Sequence, residues 1–216
     1  MGRIVRAFLG TDGIALVRVV GPPEVGVNLP AGAVWVQSRG GALDNLEAGL
    51  ETELSESDRV LICGADYPFL NAEGIADFLR RVPEEADIAL PLVRKELFRA
   101  AFPGNPGIYV RLADGLFTSG GVLAARVGPM RRALLPARKF FQRRKSQLAM
   151  AGLLGWDNVG KLLAGRLAVQ AIEERVSRIA GCRCRAVPDC RPELAFDVDT
   201  IWDLAYARRR LAEPPG

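Results

Sequence analysis

Three aspartates have the residue type and the sequence surroundings of a metal site. Asp66 follows a short, almost wholly apolar run that ends at Cys63, and Asp197 and Asp199 flank one valine just before a segment with helical periodicity. In extended backbone, residues two apart face the same side, so both carboxylates can reach one hard cation. Alone, Asp66 is as typical of a turn or a helix cap as of a metal site, whereas Asp197 and Asp199 alone are more typical of a helix N-terminal cap. Together, the two acidic segments predict a magnesium site that bridges phosphate oxygens.

A basic stretch in the second half of the chain is another candidate for phosphate chemistry. Its side chains could grip phosphates or an anionic acceptor, and the two phenylalanines between them could stack on nucleic-acid bases. A solvated helix face explains most of these charges better, so we single out only Arg144 and Lys145. The stretch comprises Arg131, Arg132, Arg138, Lys139, Phe140, Phe141, Arg143, Arg144 and Lys145.

Several other chemistries are excluded or disfavoured by the composition. The sequence has no histidine, which excludes Ser-His-Asp and Cys-His catalysis and histidine-ligated zinc. Cys182 and Cys184 lack a second CxxC pair, so core packing or surface exposure explains them better than a metal. The chain also lacks a G-x-x-x-x-G-K-[ST] loop, and no G-x-G-x-x-G follows a strand. A P-loop ATPase and a dinucleotide-binding dehydrogenase are therefore disfavoured.

Length and charge favour one cytoplasmic domain that handles a phosphate-bearing ligand. The 216 residues fit a single domain over 1–216, and the 29 basic and 25 acidic residues leave a net charge of only +4. That excess disfavours a nucleic-acid partner but suits phosphate. We find no signal peptide, no membrane span and no disulfide framework, and so predict a cytoplasmic protein without a membrane partner. The oligomeric state stays open.

The elements that must position these residues alternate between strands and helices. Apolar runs without strict alternation are typical of strands covered by helices. We therefore predict an α/β fold with a doubly wound, mostly parallel Rossmann-like sheet and a helical insertion near residues 130–180. Strands are predicted at 14–20, 35–36, 59–63, 86–93, 107–112, 121–125 and 183–187, with a Thr118-Ser119-Gly120 turn before the strand at 121–125. Helices are predicted at 42–54, after an Asn71 cap, over much of 130–180 and at 200–211, where Thr200 is the cap.

The order of these motifs resembles the MobA-like NTP transferases, a superfamily that holds molybdenum cofactor guanylyltransferase and sugar-phosphate nucleotidyltransferases. The resemblance spans nearly the whole chain and is carried by GGALDNLEAGL, RVLICGADYPFLNAEGIADFL, YVRLADGLFTSGG, RRKSQLA and PELAFDVDTIWDLAYARRRL. It implies a sheet of the nucleotide-diphospho-sugar transferase type. The implied activity is magnesium-dependent transfer of an NMP unit from an NTP to a phosphorylated or hydroxyl acceptor, with release of pyrophosphate.

The resemblance also assigns roles to individual residues. Asp66 would bind Mg²⁺ as the catalytic carboxylate, and Asp197 and Asp199 would complete the metal site. Lys145 or Arg144 would neutralise the acceptor or the leaving pyrophosphate. The residues implied near the nucleotide base are Gly41, Asp44 and Asn45, and those implied near the acceptor are Thr118, Ser119 and Gly120.

One departure from the superfamily concerns the start of the chain. Members begin with a strand and a loop of the type LAGGxSxRMG that cradles the triphosphate, whereas residues 1–9 here resemble the end of the first helix and 14–20 the second strand. Either the natural start lies upstream and supplies the loop, or the chain is a degenerate member that binds nucleotide without turnover. We favour the first interpretation, because Asp66, Asp197 and Asp199 are all present.

Two alternative functions remain open from the sequence. Asp197-Val198-Asp199 has the DxD form that binds a diphosphate-bound metal in nucleotide-sugar-dependent glycosyltransferases. A non-catalytic nucleotide-binding module is the other alternative. The nucleobase and the acceptor are not specified by any motif.

Overall fold

A computed structural model describes residues 2–51, 53–143 and 155–212, which form strands and helices in alternation. The strands are β1 (Val17–Gly21), β2 (Ala33–Gln37), β3 (Arg59–Cys63), β4 (Ile88–Arg94), β5 (Val110–Leu112), β6 (Gly115–Ser119), β7 (Val122–Arg126) and β8 (Cys184–Val187). The helices are α1 (Gly2–Leu9), α2 (Pro23–Gly26), α3 (Ala42–Leu50), α4 (Ala72–Arg81), α5 (Lys95–Ala101), α6 (Val127–Arg143), α7 (Trp156–Leu163), α8 (Val169–Ala180) and α9 (Ile201–Ala212), with a 3₁₀ turn at Pro192–Leu194.

The larger sheet has six strands, in the order β3-β7-β4-β6-β5, with β8 also paired to β4. Strands β7 and β6 run antiparallel to their neighbours, while β8 runs parallel to β4. It follows that β3, β4, β5 and β8 share one direction, and only β6 and β7 oppose them. The prediction of a mostly parallel α/β sheet is confirmed for strand direction, although the two reversed strands make most neighbouring pairs antiparallel.

A second, smaller sheet is formed by β1 and β2, which pair in parallel from Val17 opposite Ala33 to Gly21 opposite Gln37. Val17 of β1 packs against the largest core cluster. The same cluster buries Ile4, Ala7 and Phe8 of α1 together with residues of α4 and β4. Strand β3 pairs with β7 alone among the described strands.

Local sequence explains where the helices next to the acidic segments begin. The Asn71 side chain accepts a hydrogen bond from the Gly74 backbone amide at 2.8 Å and so caps α4 as predicted. Thr200 and Asp203 cap α9 reciprocally: the Thr200 amide donates to the Asp203 carboxylate at 3.0 Å, and the Asp203 amide donates to the Thr200 hydroxyl at 3.2 Å. A helix therefore follows each acidic segment: α4 begins at Ala72, a few residues after Asp66, and α9 begins at Ile201, just after Asp199.

Aromatic side chains fill the core behind the acidic segment at 197–199. Phe196 is 1% exposed and stacks on Tyr206 with ring centroids 5.5 Å apart. Phe69, two residues after Tyr67, meets Phe196 edge to face at 4.7 Å. Ring pairs of this geometry add to the burial of apolar surface. Both acidic segments are thus anchored on one aromatic cluster.

The helical insertion predicted near residues 130–180 is confirmed where the chain is described, as α6, α7 and α8. Other boundaries differ from the predictions. The predicted turn at Thr118-Ser119-Gly120 is wrong for its first two residues, because residues 115–119 form β6 and Thr118 and Ser119 end that strand. Helix α3 ends at Leu50, before the predicted 54. No helix in the described ranges combines the length and apolarity needed to cross a membrane.

Candidate active site

The two acidic segments lie side by side, although they are far apart in the sequence. Strand β3 ends at Cys63, and the chain then turns through Gly64 and Ala65 to Asp66. The carbonyl oxygen of Asp66 accepts a hydrogen bond from the Val198 amide at 3.0 Å. This bond places Asp66 next to the residue that separates Asp197 from Asp199.

The carboxylates of these segments act on one another. Asp197 is half-buried, whereas Asp66 and Asp199 are exposed. Burial, followed by the charges of Asp199 and Asp66, raises the pKa of Asp197. An uncompensated group of carboxylates is unfavourable for the protein alone, and a bound cation would relieve that repulsion.

Tyr67 lies among the same carboxylates. Burial, together with the negative charges of Asp197, Asp66, Cys63 and Asp199, raises the pKa of Tyr67, so the phenol stays protonated. Its ring packs on the backbone of Gly121, where a methyl group would overlap the ring atoms. The ring also contacts the position that a side chain on Gly64 would occupy.

A cleft of about 1020 Å³ opens beside these residues. The polar residues that line it include Tyr67, Asp197, Asp199, Thr118 and Ser119. Apolar side chains of β4 and α8 line much of the remaining wall, Leu90, Leu92 and Ile172 among them. Such a cleft, largely apolar with a few convergent polar groups, is typical of a small-molecule site.

Thr118, Ser119 and Gly120, predicted near the acceptor, enter this region from β6. Thr118 and Ser119 lie opposite Val93 and Leu92 of β4. The Gly120 amide donates to the Pro91 carbonyl at 2.8 Å. A Cβ on Gly120 would lie 2.6 Å from Pro91 Cγ and 2.9 Å from the Leu194 carbonyl oxygen, so only glycine fits. The structure thus brings Thr118 and Ser119 into the cleft that holds Asp197 and Asp199, with Gly120 next to them in the chain.

Gly41, Asp44 and Asn45, predicted near the nucleotide base, shape the loop before α3. The Asp44 carboxylate accepts from the Gly41 amide at 3.2 Å, and Asn45 Oδ1 accepts from the Arg39 amide at 2.8 Å. Asp44 also pairs with Arg138 at 2.5 Å, and the hydrogen bond from that guanidinium holds the pKa of Asp44 below its usual value. These contacts fix the loop, and the base-binding role stays a prediction.

The basic stretch contributes ion pairs at its described positions. Arg131 and Arg132 pair with Glu56 at 3.0 and 3.2 Å, and Arg138 bridges Asp44 and Glu47. These contacts agree with the interpretation that most of the stretch covers a helix face. Arg144 and Lys145 lie outside the described residues.

The four cysteines are free thiols, as the sequence predicts. Cys182 and Cys184 have their sulfur atoms 3.9 Å apart, and burial raises the pKa of Cys184 to about 12. A protonated, buried thiol is a poor metal ligand and a poor nucleophile. Core packing explains these side chains.

The donor set of the acidic segments fits Mg²⁺ that arrives with a ligand. Within the described ranges, no three His, Cys, Asp or Glu side chains are close enough to form a ready-made metal cage. Magnesium does not need one, because it usually takes one or two carboxylates and completes its shell with water and substrate phosphates. Asp66, Asp197 and Asp199 supply hard oxygen ligands of that kind.

Two other residues of the cleft have no local signal in the sequence. The position of Tyr67 depends on Gly121, which nothing near residue 67 reveals. Asn105 is buried and donates to Asp203 at 3.1 Å, which ties the loop after α5 to the start of α9. The Thr-x-x-Asp spacing at 200–203 signals the Asp203 cap, but no local pattern signals Asn105.

Comparison with solved structures assigns the chain to a family. A hypothetical transferase from Thermus thermophilus is 39% identical, with a TM-score of 0.83 over 93% of this chain and 84% of that one. The chain belongs to the family of this transferase. No family model matches the sequence, and no curated protein matches it either.

The fold of this transferase family extends to more distant nucleotidyltransferases. The 2-C-methyl-D-erythritol 4-phosphate cytidylyltransferase of Francisella tularensis is 12% identical, with a TM-score of 0.58 over 96% of this chain and 86% of that one. The enzyme of the same name from Thermus thermophilus is 18% identical, with a TM-score of 0.54 over 95% and 85%. At these identities the likeness shows the fold alone. The predicted nucleotidyltransferase-type fold is confirmed.

Proposed function

We propose that this protein is a magnesium-dependent nucleotidyltransferase of the MobA-like type. It transfers an NMP unit from an NTP to a phosphorylated or hydroxyl acceptor and releases pyrophosphate. The observation that carries the proposal is the hydrogen bond from the Val198 amide to Asp66, which joins the two acidic segments beside a cleft that also holds Thr118 and Ser119. Membership in a transferase family and a fold shared with cytidylyltransferases support it.

The reaction needs little covalent chemistry from the protein. The acceptor oxygen attacks the α-phosphorus of the NTP, the bond from that phosphorus to the bridging oxygen breaks, and pyrophosphate leaves. Catalysis then consists of holding the two reactants in line and of balancing charge on the phosphate oxygens. Asp66, Asp197 and Asp199 would hold Mg²⁺, which supplies positive charge against the phosphates when bound.

The remaining predicted residues have complementary tasks in this proposal. Thr118 and Ser119 orient the acceptor by hydrogen bonds from their hydroxyl groups, and the backbone at Gly120 lets it approach closely. The loop held by Asp44 and Asn45, with Gly41, reads the nucleotide base. Arg144 or Lys145 neutralises the acceptor or the departing pyrophosphate.

Substitution of Asp66 tests the proposal. In D66N we expect Mg²⁺-dependent NTP affinity and the rate of pyrophosphate release to fall by more than about 100-fold, since loss of even an outer-shell partner of a metal site costs about 10–100-fold. D12N is the matched control, because Asp12 is exposed and does not line the cleft.

The products separate this reaction from its alternatives. Pyrophosphate release supports nucleotidyl transfer, release of a free nucleoside diphosphate from a nucleotide sugar supports a glycosyltransferase, and binding without turnover supports a non-catalytic module. Equal pyrophosphate release by D66N and D12N would remove Asp66 from the site.

A further inference from the structure

Packing holds the Tyr67 ring in the part of the cleft that is next to Asp197 and Asp199. Its ring is pressed against the backbone of Gly121, which cannot move away because its amide donates to the Leu194 carbonyl at 2.7 Å. The ring also lies 3.3 Å from the position that a Cβ on Gly64 would occupy, just after the end of β3. At Gly121, a Cβ would overlap the ring itself. The position of the phenol is therefore set before any ligand binds.

The hydroxyl group of Tyr67 has no hydrogen-bond partner among the described residues, although strong acceptors surround it. Asp66 precedes Tyr67 in the chain, and Asp197 and Asp199 line the same cleft as its side chain. The other tyrosine on the cleft, Tyr206, differs in this respect, because its hydroxyl donates to the Pro103 carbonyl at 3.1 Å. Tyr67 thus offers a neutral donor that no described protein group uses.

A phosphate oxygen is the ligand atom that suits this donor. A phosphate that approaches Asp66, Asp197 and Asp199 brings more negative charge, so direct hydrogen bonds to it must come from groups such as hydroxyls. Thr118 and Ser119 line the same cleft, and Gly121 connects their strand to the Tyr67 ring. The phenol is a further donor, and the packing of its ring fixes its position.

We propose that Tyr67 is a ligand-binding residue whose hydroxyl donates a hydrogen bond to a phosphate oxygen of the bound nucleotide. The inference rests on the proposed function and adds to it a residue that selects phosphate next to the acidic segments. Tyr67 is placed to contact the ligand directly and does not act through one of the aspartates.

The test compares Y67F with Y109F. Phenylalanine at 67 keeps the ring on Gly121 and removes only the donor. Tyr109 is the matched control because its hydroxyl also lacks a described partner, but its side chain does not line the cleft. The probe is the NTP among ATP, GTP, CTP and UTP that most raises the melting temperature of the wild-type protein with Mg²⁺. Its Kd is measured by calorimetry on all three proteins, alongside the melting temperatures without ligand.

We expect Y67F to bind the magnesium–NTP probe about tenfold more weakly, as for a lost hydrogen bond to a charged group, with an unchanged melting temperature in the absence of ligand. Y109F should bind like the wild type. Equal affinities of Y67F and Y109F would overturn the role of Tyr67 alone. A lower melting temperature of Y67F with unchanged affinity would assign Tyr67 a structural role instead. Absence of magnesium-dependent NTP binding in the wild type would overturn the proposed function together with this inference.

Discussion

Gly121 shows how a residue without a side chain decides the geometry of the cleft. It lies between β6 and β7, where its amide is bonded to Leu194 and its Cα faces the Tyr67 ring. Glycine is needed here for close approach and not for an unusual backbone angle, because Gly121 is not among the glycines with positive φ. The contact between Gly121 and the Tyr67 ring joins the end of β6, with Thr118 and Ser119, to the segment that carries Asp66.

Replacement of Gly121 by alanine should therefore destabilise the protein. The added methyl group overlaps the Tyr67 ring, and overpacking of this kind costs about 1–3 kcal/mol in the free energy of unfolding. Gly160→Ala is the matched control: a Cβ there meets nothing within 4 Å, and alanine in a helix is expected to stabilise by about 0.5–1 kcal/mol. Urea denaturation measures both changes. If the free energy of unfolding of G121A is no lower than that of the wild type, the Tyr67 ring moves aside without destabilising the protein.

At the scale of elements, Asp87 joins three strands of the larger sheet. Its carboxylate accepts a hydrogen bond from the Arg183 backbone amide at 2.8 Å, just before β8. Its carbonyl oxygen accepts a hydrogen bond from the Arg126 backbone amide of β7 at 2.8 Å. Its own amide donates to the Arg183 carbonyl at 2.9 Å, at the start of β4. Burial raises the pKa of Asp87, but the hydrogen bonds and charge of Arg183 outweigh it and bring that pKa below its ordinary value. The carboxylate thus helps to fix the register of β8 on β4.

The stability of D87N relative to the wild type should depend on pH. The pKa of the Asp87 carboxyl is lower in the folded protein than in the unfolded chain, where it is about 4. The carboxylate therefore contributes its full stabilisation above the unfolded-state pKa, and this contribution is lost as the pH falls through the folded-state pKa. We expect D87N to be less stable by about 1 kcal/mol from about pH 7 to 5, with a difference that shrinks below about pH 4. Denaturant melts across that range measure it. A difference independent of pH would exclude the ionised carboxylate as the cause.

At the scale of the whole molecule, the fold brings together segments that the sequence separates. Asp66 follows β3 near the first third of the chain, and Asp197 and Asp199 precede the last helix. The shared aromatic cluster of Phe69 and Phe196 and the bond from Val198 to Asp66 fix their meeting point. The Thermus thermophilus transferase has the same fold over most of its length.

The sequence was sufficient to predict the elements that depend on local signals. The apolar run at Arg59–Cys63 and the Asn71 cap are as predicted, because burial and capping act within a few residues. It did not predict β6 as a strand, since Thr118-Ser119-Gly120 has the composition of a turn. Nor does chain order reveal that β7 inserts between β3 and β4, because pairing of distant strands depends on tertiary packing.

The same distinction applies to the candidate site. Asp66 after a strand, and Asp197 and Asp199 before a helix, were visible as a pattern. Their proximity depends on the bond from the Val198 amide to Asp66, because β8 ends at Val187, well before Asp197. The role of Gly120 and Gly121 was not visible, since it depends on Pro91, Leu194 and Tyr67 from other elements. Residues that bind through a fixed position, such as Tyr67, require the fold to be known.

The most direct test is a crystal structure of the protein with Mn²⁺ and a non-hydrolysable NTP, in which anomalous scattering locates the metal. We predict a metal peak about 2.1 Å from carboxylate oxygens of Asp66 and of Asp197 or Asp199, with a phosphate oxygen completing its shell. A nucleotide bound elsewhere, with these carboxylates free of metal, would contradict the account.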